Sequence, residues 1–370
     1  MADSLAGRTT GERFWTAFRE SEWTVLKALI KRAVISAGLE GAALLKGAGV
    51  MAGARGRGAI FTLHHVRPFA RRAVDPNRHL EITPEFLDAA LARLTADGYR
   101  FVALDAVPAL LAAGDGGQPF AAFTLDDGYR NNLSEALPVF ERHGAPFTVF
   151  VCEGFSRRSH TIWWETAAAL INAGDAFEYD AGAGLRRFST RNSAERMAAF
   201  GALATAITGG GSETDAITRL DAAASSMGVD ARRMVEALVM PDEQLRQLAA
   251  HPLASLGAHT ISHRALSLLD DATVAAELRQ SADYVEGVCG RRPTTLAYPY
   301  GDGRSVSART VGIAEGQGFA LAVTTAPGTL NAAHAGALWQ LPRISLNGHF
   351  QTPRAVTALA SGIPFKLLKG

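Results

Sequence analysis

The chain has 370 residues, of which 48% are hydrophobic and 20% charged. This composition excludes a disordered chain, a collagen and a coiled coil. The 37 basic and 36 acidic residues leave a formal charge of +1, which argues against nucleic-acid binding through a broad basic face. The cysteines, Cys152 and Cys289, are too few for a disulfide scaffold.

The first predicted element is an amphipathic basic helix within an N-terminal helical extension, residues 1–56. Its apolar residues recur at helical spacing with basic residues between them; they are Phe14, Phe18, Val25, Leu26, Leu29, Ile30 and Val34. Such a helix either packs on the main domain or lies on an anionic membrane surface. The sequence leaves both interpretations open.

The N-terminal residues also bear on location. Asp3 and Glu12 stand where a secretory signal needs a basic start and an apolar middle. The apolar stretch 33–54 contains Glu40 and Lys46, which a membrane-spanning helix would not tolerate near its centre. We therefore expect a cytoplasmic protein, held at the inner face of the membrane if the basic helix binds lipid.

From Ala59 onward, short apolar runs alternate with helical patterns. The predicted strands are 59–63, 100–104, 120–125, 147–151, 253–258, 294–298, 319–324 and 338–345. The predicted helices are 83–98, 132–143, 241–250, 272–288 and 305–316, the first of them with Thr83 as N-cap. Short, continuously apolar strands between helices indicate a parallel sheet covered on both faces, and seven or eight such units indicate a βα barrel.

The alternation stops at 160–240, which the sequence predicts to be a helical insertion with a hairpin near 176–189. The barrel domain is thus predicted to span 57–350 around that insertion. Residues 351–370 contain Arg354, Lys366 and Lys369 and no acidic residue, so they are predicted to form a basic C-terminal tail.

Polar residues follow three of the predicted strands, and the carboxyl ends of parallel barrel strands are where catalytic residues lie. Asp126 and Asp127 follow 120–125, and His259 and His263 follow 253–258. On an extended strand the two histidines would be about 13 Å apart, but on a turn they can share one ion. Two imidazoles and one carboxylate leave open positions on a metal, as a catalytic ion requires.

The paired aspartates allow a division of roles. One carboxylate can ligate the metal while the other takes a proton from water, and together these are the parts of a hydrolase. Each motif alone is weak evidence, because an Asp-Asp pair is often a helix cap, as we predict for Asp270 and Asp271, and paired histidines are often simply exposed. Their joint placement at the ends of parallel strands carries the prediction.

These residues resemble the motifs of the polysaccharide deacetylases, the chitooligosaccharide deacetylase-like domain of carbohydrate esterase family 4. The segment Phe123–Gly128 (FTLDDG) is similar to the family's first motif, and His259–His263 (HTISH) matches its second. Ala297–Tyr300 (AYPY) stands where the third is expected, and the resemblance covers about residues 57–350. It implies a distorted (β/α)7 barrel.

The resemblance also implies roles for individual residues. Asp127, His259 and His263 would bind a divalent metal, usually zinc in the family, and Asp126 would be the general base. The backbone N–H of Tyr300 would help to hold the tetrahedral oxyanion.

Two departures from the family motifs lead to further hypotheses. Ala297 replaces an arginine that often orients the base, and Arg343, at the end of another predicted strand, is our candidate to supply that charge. The family's late histidine motif is not evident, but Phe61–Val66 (FTLHHV) resembles a form permuted to the first strand. There His64 matches the general acid, with His65 and then His349 as alternatives.

The resemblance implies a hydrolase that removes N-acetyl groups from an oligosaccharide or lipid-linked saccharide. Trp163, Trp164 and Tyr129 are candidate substrate-binding aromatics, although core packing explains the tryptophans equally well. A deformylase or O-acetyl esterase of the same fold, and a non-catalytic saccharide-binding relative, are the alternatives. The missing arginine at Ala297 favours a non-catalytic relative, whereas the retained Asp126 argues against it. The sequence does not determine the oligomeric state.

Overall fold

The computed structural model describes residues 21–113, 117–182 and 184–367, with side chains from Arg32 onward. Contacts divide them into two compact units. The larger unit contains Ile35–Phe69, His79–Ser159 and the residues from Leu238 to Leu367. The smaller unit contains Ala70–Arg78, His160–Ala237 and the first described residues up to Val34.

Seven parallel strands form the centre of the larger unit. They are β1 (Gly58–Leu63), β2 (Phe120–Leu125), β3 (Phe147–Val151), β4 (Ala254–Ala258), β5 (Thr295–Ala297), β6 (Leu321–Pro327) and β7 (Leu341–Ser345). Each strand pairs with the next in chain order, and β7 also pairs with β1, which closes the ring. The predicted distorted (β/α)7 barrel is confirmed.

The strands are buried because apolar side chains cover both of their faces. β1, β2 and β3 are buried along their whole length, as expected of a parallel sheet enclosed by helices. Close packing inside the ring requires a glycine in β4. A Cβ atom on Gly257 would lie 2.5 Å from the Phe150 ring of β3.

One predicted strand differs from the structure. Only Arg100–Phe101 of the run 100–104 forms a strand, and it pairs with Phe120 and Ala121 of β2 without joining the ring. The reason is that β2 is already flanked by β1 along its full length and by β3 from Phe123 onward. The short strand therefore occupies only the first part of that edge.

Helices surround the ring in the larger unit. They are Pro84–Ala96, Val107–Ala112, Leu137–Arg142, Glu153–Ser156, Asp242–Ala249, Asp271–Cys289, Ala308–Gly316, Pro353–Ala360 and Ile363–Leu367. Both predicted N-caps are confirmed. The Thr83 hydroxyl accepts from the Phe86 N–H at 3.1 Å, and the Asp270 carboxylate accepts from the Thr273 N–H at 2.9 Å.

The N-terminal helix is observed over Ser21–Gly47. In its C-terminal part Leu39 and Ala42 pack with Ala54, Ala358 and Ile363. Of the predicted amphipathic pattern, Phe14 and Phe18 and the side chains of Val25 to Ile30 lie outside the described residues, and Val34 is exposed. None of the helices in the described part of the chain is long and apolar enough to span a membrane.

The C-terminal segment predicted as a basic tail contains two of the helices listed above. In Pro353–Ala360 the residues Ala355, Val356 and Ala358 are buried. Arg354 forms an ion pair with Glu40 at 2.6 Å. A separate tail beginning at 351 remains a prediction.

The smaller unit is mainly helical. Its helices are Trp163–Leu170, Ser193–Thr208, Glu213–Ser226 and Ala231–Leu238, the last of which ends one residue beyond the unit. The strands Ala176–Asp180 and Leu185–Ser189 form an antiparallel pair, which confirms the predicted hairpin. The observed unit thus places helices and a hairpin in the region predicted as an insertion, 160–240.

Candidate active site

The backbone turns sharply where the polar motifs leave the barrel strands. The ladder of hydrogen bonds continues one residue past β2 and β4, because the Asp126 N–H donates to Leu63 and the His259 N–H donates to Val151. The residue that follows each, Asp127 or Thr260, then adopts a left-handed conformation. His263 and Tyr300 do the same. Such backbone is costly for residues other than glycine, and it is concentrated here at one end of the barrel.

Asp127, His259 and His263 converge on one point. Their potential ligand atoms all lie within 4.8 Å of one another, and all three residues are buried. The Nε2 atoms of His259 and His263 lie 3.5 and 3.4 Å from Asp127 Oδ1. The three residues predicted from two distant motifs are therefore brought together.

The donor set fits a divalent cation. Neither carboxylate oxygen of Asp127 has a hydrogen-bond partner within the described residues, although both are buried. An ionised carboxylate is rarely left in that state, whereas a cation would satisfy it. Two imidazoles and one carboxylate suit zinc, with positions left open for water and substrate.

The His259 imidazole is oriented as a metal ligand requires. His259 Nδ1 lies 2.7 Å from the carbonyl oxygen of Ala297, so Nδ1–H donates there and Nε2 presents its lone pair to the site. Burial lowers the pKa of His263 to about 4, which favours the neutral ring that binds metals. Burial acts to raise the pKa of Asp127, but the neighbouring imidazoles lower it by more, so the carboxylate stays ionised.

Asp126 is held by Arg343. The guanidinium donates to both carboxylate oxygens at 2.7 Å, and Arg343 is only 1% exposed. The same side chain donates to the Thr324 carbonyl at 2.9 Å and to the Thr124 hydroxyl at 3.0 Å. A guanidinium that fits a carboxylate in this two-pronged way fixes its orientation. The charge absent at Ala297 is thus present at the predicted position on β7.

This pairing sets the charge of Asp126. Burial acts to raise the pKa of Asp126, but the charge and hydrogen bonds of Arg343 outweigh it, so the pKa lies below the usual range of an aspartate. A carboxylate ionised throughout the neutral range is available to accept a proton.

We expect Arg343→Lys to lower kcat by about 10- to 100-fold, because an ammonium loses one of two hydrogen bonds to a charged group. The weaker pairing should also raise the pKa of Asp126. Since the ionised form is the active one, the acid limb of the pH–kcat profile should move to higher pH. Arg142→Lys, at an exposed pair with Asp88, is the control. An unchanged kcat and acid limb would contradict this role.

His64 lies beside Asp126, with Nε2 4.0 Å from Oδ2, and its side chain is 22% exposed. Asn132 donates to the His64 carbonyl at 2.8 Å, and Asn131 accepts from the Val66 N–H at 2.9 Å. These amides fix the segment that carries His64. The position of His64 beside Asp126 favours it over His65 and His349 as the candidate general acid.

The alternative histidines are engaged elsewhere. His65 is buried, with Nδ1 2.8 Å from the Asn131 amide nitrogen, and its ring stacks on Tyr129 with centroids 3.5 Å apart. His349 lies after β7, with its ring beside Phe350. Tyr129 has no exposed surface, so it supports His65 by packing. A contact between Tyr129 and substrate remains a prediction.

Tyr300 and the tryptophans complete the predicted set. The Tyr300 ring meets the His263 ring edge to face, with centroids 5.0 Å apart, which places its backbone at the same end of the barrel. In the smaller unit Trp163 and Trp164 are almost buried and pack perpendicular to each other. The Trp164 carbonyl accepts from the Asn77 amide at 2.9 Å. A substrate-binding role for either tryptophan is a prediction.

Sequence reasoning missed several residues that support the site. Asn131 and Asn132 lie three and four residues after the first motif, and this proximity is a usable signal. Glu277 lies in the helix after the second motif and accepts hydrogen bonds from its loop. Nothing in its local pattern distinguishes Glu277 from an ordinary helix carboxylate.

A comparison with models of protein families matches the polysaccharide deacetylases over residues 113–202 and 213–322. The matched residues make up more than half of the chain and include Asp126 and the three candidate metal ligands Asp127, His259 and His263. The chain belongs to the polysaccharide deacetylase family. His64 and Arg343 lie outside the matched ranges, so the family match does not bear on them.

Solved structures share this fold. The Streptococcus pyogenes deacetylase PplD, solved in complex with acetate, is 18% identical with a TM-score of 0.51, over 79% of this chain and 92% of that one. IcaB from Ammonifex degensii is 19% identical with a TM-score of 0.50, over 83% and 98%. A de-N-acetylase from Aggregatibacter actinomycetemcomitans is 10% identical with a TM-score of 0.51, over 78% and 95%. No curated protein sequence matches the chain significantly.

Proposed function

We propose that the protein is a metal-dependent hydrolase that removes the acetyl group from the nitrogen of an amino sugar. The substrate class is an N-acetylated oligosaccharide or lipid-linked saccharide, and the proposed cation is zinc. Family membership supports deacetylation of a saccharide. The similar structures include one named a de-N-acetylase and one solved with acetate, which supports the acetyl group as the one removed.

The observation that carries the proposal is the different surroundings of two adjacent carboxylates. Asp127 lies beside the imidazoles of His259 and His263, whereas Asp126 lies beside the Arg343 guanidinium and His64. A saccharide-binding protein has no need of a second ionised carboxylate held in this way. A hydrolase needs one carboxylate for a metal and another for a proton.

Each residue of the site would have a separate role in the reaction. Asp127, His259 and His263 would hold the cation, which when bound supplies Lewis acidity toward water and toward the amide carbonyl. Asp126 takes a proton from the attacking water as the C–O bond forms. The backbone N–H of Tyr300 donates to the developing oxyanion. His64 donates a proton to the amide nitrogen as the C–N bond breaks, and acetate and a free amino sugar result.

Acetate release from short N-acetylated glucosamine oligomers tests the proposal, with and without a chelator. The proposal expects acetate and a new primary amine in equal amounts, and loss of both when the chelator is present. If an N-formyl analogue were hydrolysed in preference to the N-acetyl substrate, the protein would be a deformylase. If acetate were released only from an O-acetyl ester, it would be an esterase. Binding of the oligomer without turnover would indicate a saccharide-binding relative.

We also propose that the end of the N-terminal helix contacts an anionic membrane surface. Leu44 is 63% exposed there, Val50 and Met51 are exposed just beyond it, and Arg55 follows in the next turn. Apolar side chains beside a basic residue suit the interface of an anionic bilayer. This would place the enzyme near a lipid-linked substrate.

For this surface we expect Leu44→Glu to weaken binding to vesicles that contain an anionic lipid, because a charge replaces an inserting apolar side chain and repels the headgroups. Sedimentation with vesicles measures the effect. Leu185→Glu, in the hairpin and 72% exposed, is the matched control. Equal binding by both variants and the parent protein would remove this proposal and leave the deacetylase proposal intact.

A further inference from the structure

We propose that Glu277 is a positioning residue that sets metal affinity by holding the loop between the two histidine ligands in its binding conformation. The inference rests on the proposed metal site and deepens it. Glu277 contacts neither metal nor substrate in this account. It acts through the backbone of the His259–His263 loop.

The contacts of Glu277 are directed at that loop. Its Oε2 atom accepts from the Ile261 N–H at 2.8 Å and from the Ser262 N–H at 3.0 Å. Its Oε1 atom accepts from the Ser262 hydroxyl at 2.5 Å and from the Arg264 guanidinium at 3.1 Å. One carboxylate therefore receives four hydrogen bonds from three residues that flank His263, namely Ile261, Ser262 and Arg264.

The loop needs such support because its backbone is strained. Thr260 has φ of 64° and His263 has φ of 55°, on either side of the two residues that Glu277 binds. Left-handed backbone is unfavourable for residues other than glycine and is rarer still for a β-branched residue such as threonine. It persists where the surroundings leave no alternative. The Thr260 hydroxyl, which accepts from the His263 N–H at 3.1 Å, adds one internal bond.

Glu277 is itself held in place by its helix. It lies within the 19-residue helix Asp271–Cys289 and is 4% exposed. The helix cannot shift without moving its buried residues Val274, Leu278 and Ser281. The carboxylate thus holds the loop between His259 and His263 at a fixed position against this helix. Partners that orient metal ligands from outside typically contribute 10- to 100-fold to metal affinity.

Glutamine at this position removes the carboxylate while keeping its size. The amide NH₂ would face N–H and hydroxyl donors, so at least one of them loses its acceptor, and Arg264 loses its counter-charge. For the full chain stripped of metal, we expect Glu277→Gln to bind Zn²⁺ about 10- to 100-fold more weakly in competition with a chromogenic chelator. Acetate release at saturating Zn²⁺ should return to near the parent value with KM unchanged.

The matched control is Glu286→Gln on the same helix, since Glu286 is exposed and its carboxylate forms a surface ion pair with Arg292 at 2.9 Å. Ser262→Ala is a milder second variant. It removes one bond to Glu277, and we expect about a 2- to 10-fold loss of affinity from it. It keeps the test decisive should Glu277→Gln fail to fold, which circular dichroism of the metal-free proteins would reveal.

The outcomes separate this inference from the function on which it rests. Parent-like Zn²⁺ affinity in a folded Glu277→Gln, or in Ser262→Ala, would overturn the positioning role and leave the deacetylase proposal standing. An equal loss in Glu286→Gln would also overturn it, because the effect would then belong to the helix as a whole. Absence of Zn²⁺ binding by the parent protein would instead reject the proposed metal site.

Discussion

Asp126→Asn is expected to lower kcat for acetate release by about 10²- to 10⁴-fold, the usual contribution of a general base. Asparagine keeps the size of the side chain and still accepts from Arg343 through its oxygen. It cannot take a proton from water at neutral pH. Substrate binding depends on other residues, so KM should change little.

The variant must be shown to be folded, because Arg343 would lose its buried counter-charge. Removing one member of a buried ion pair costs about 3–5 kcal/mol of stability. Unchanged Zn²⁺ affinity would show that Asp127, His259 and His263 are still in place. Asp88→Asn, in an exposed pair with Arg142, is the matched control. A folded, metal-binding Asp126→Asn with more than a tenth of the parent kcat would show that Asp126 is not the base.

Loss of the cation is the second large effect. Prolonged dialysis against a chelator should reduce acetate release by about 10³-fold, since a Lewis acid supplies several kcal/mol toward such a reaction. Added Zn²⁺ should restore it. His263→Ala should reproduce the chelator effect permanently, because it removes one of three ligands, whereas His251→Ala, at a surface pair with Glu141, should not.

Activity that survives exhaustive chelation, or that His263→Ala retains, would separate the reaction from this cluster. Measuring both acetate release and bound metal also shows why each variant is inactive. Asp126→Asn should fail in the presence of bound metal, and His263→Ala should fail because metal is lost. The general base and the metal site would then have distinct experimental signatures.

The barrel and the cluster of potential metal ligands could be predicted from the sequence. Continuous apolar strands such as Phe120–Leu125 show their parallel, covered environment directly in their composition. The rule that active sites lie at the carboxyl ends of barrel strands then brought Asp127, His259 and His263 together without knowledge of distances. The short strand Arg100–Phe101 was over-predicted, because the strand neighbours that limit it are far away in sequence.

The residues that support the site are harder to predict from the sequence. Arg343 was proposed because a charge was missing at Ala297, but its two-pronged contact with Asp126 depends on β7 closing the ring against β1. Glu277 binds two backbone N–H groups. Every residue except proline has such a group, so the sequence pattern does not indicate which ones a carboxylate binds. The left-handed backbone at Asp127 and His263 is likewise invisible, since neither residue is glycine.

The most direct test is a crystal structure of the full chain grown with Zn²⁺ and measured at the zinc absorption edge. We expect an anomalous peak from a zinc ion bound jointly by Asp127, His259 and His263, with Asp126 beside the ion, outside its ligand set and still paired with Arg343. An ion bound elsewhere, or those three side chains turned away from a common centre, would show that the proposed metal site is wrong.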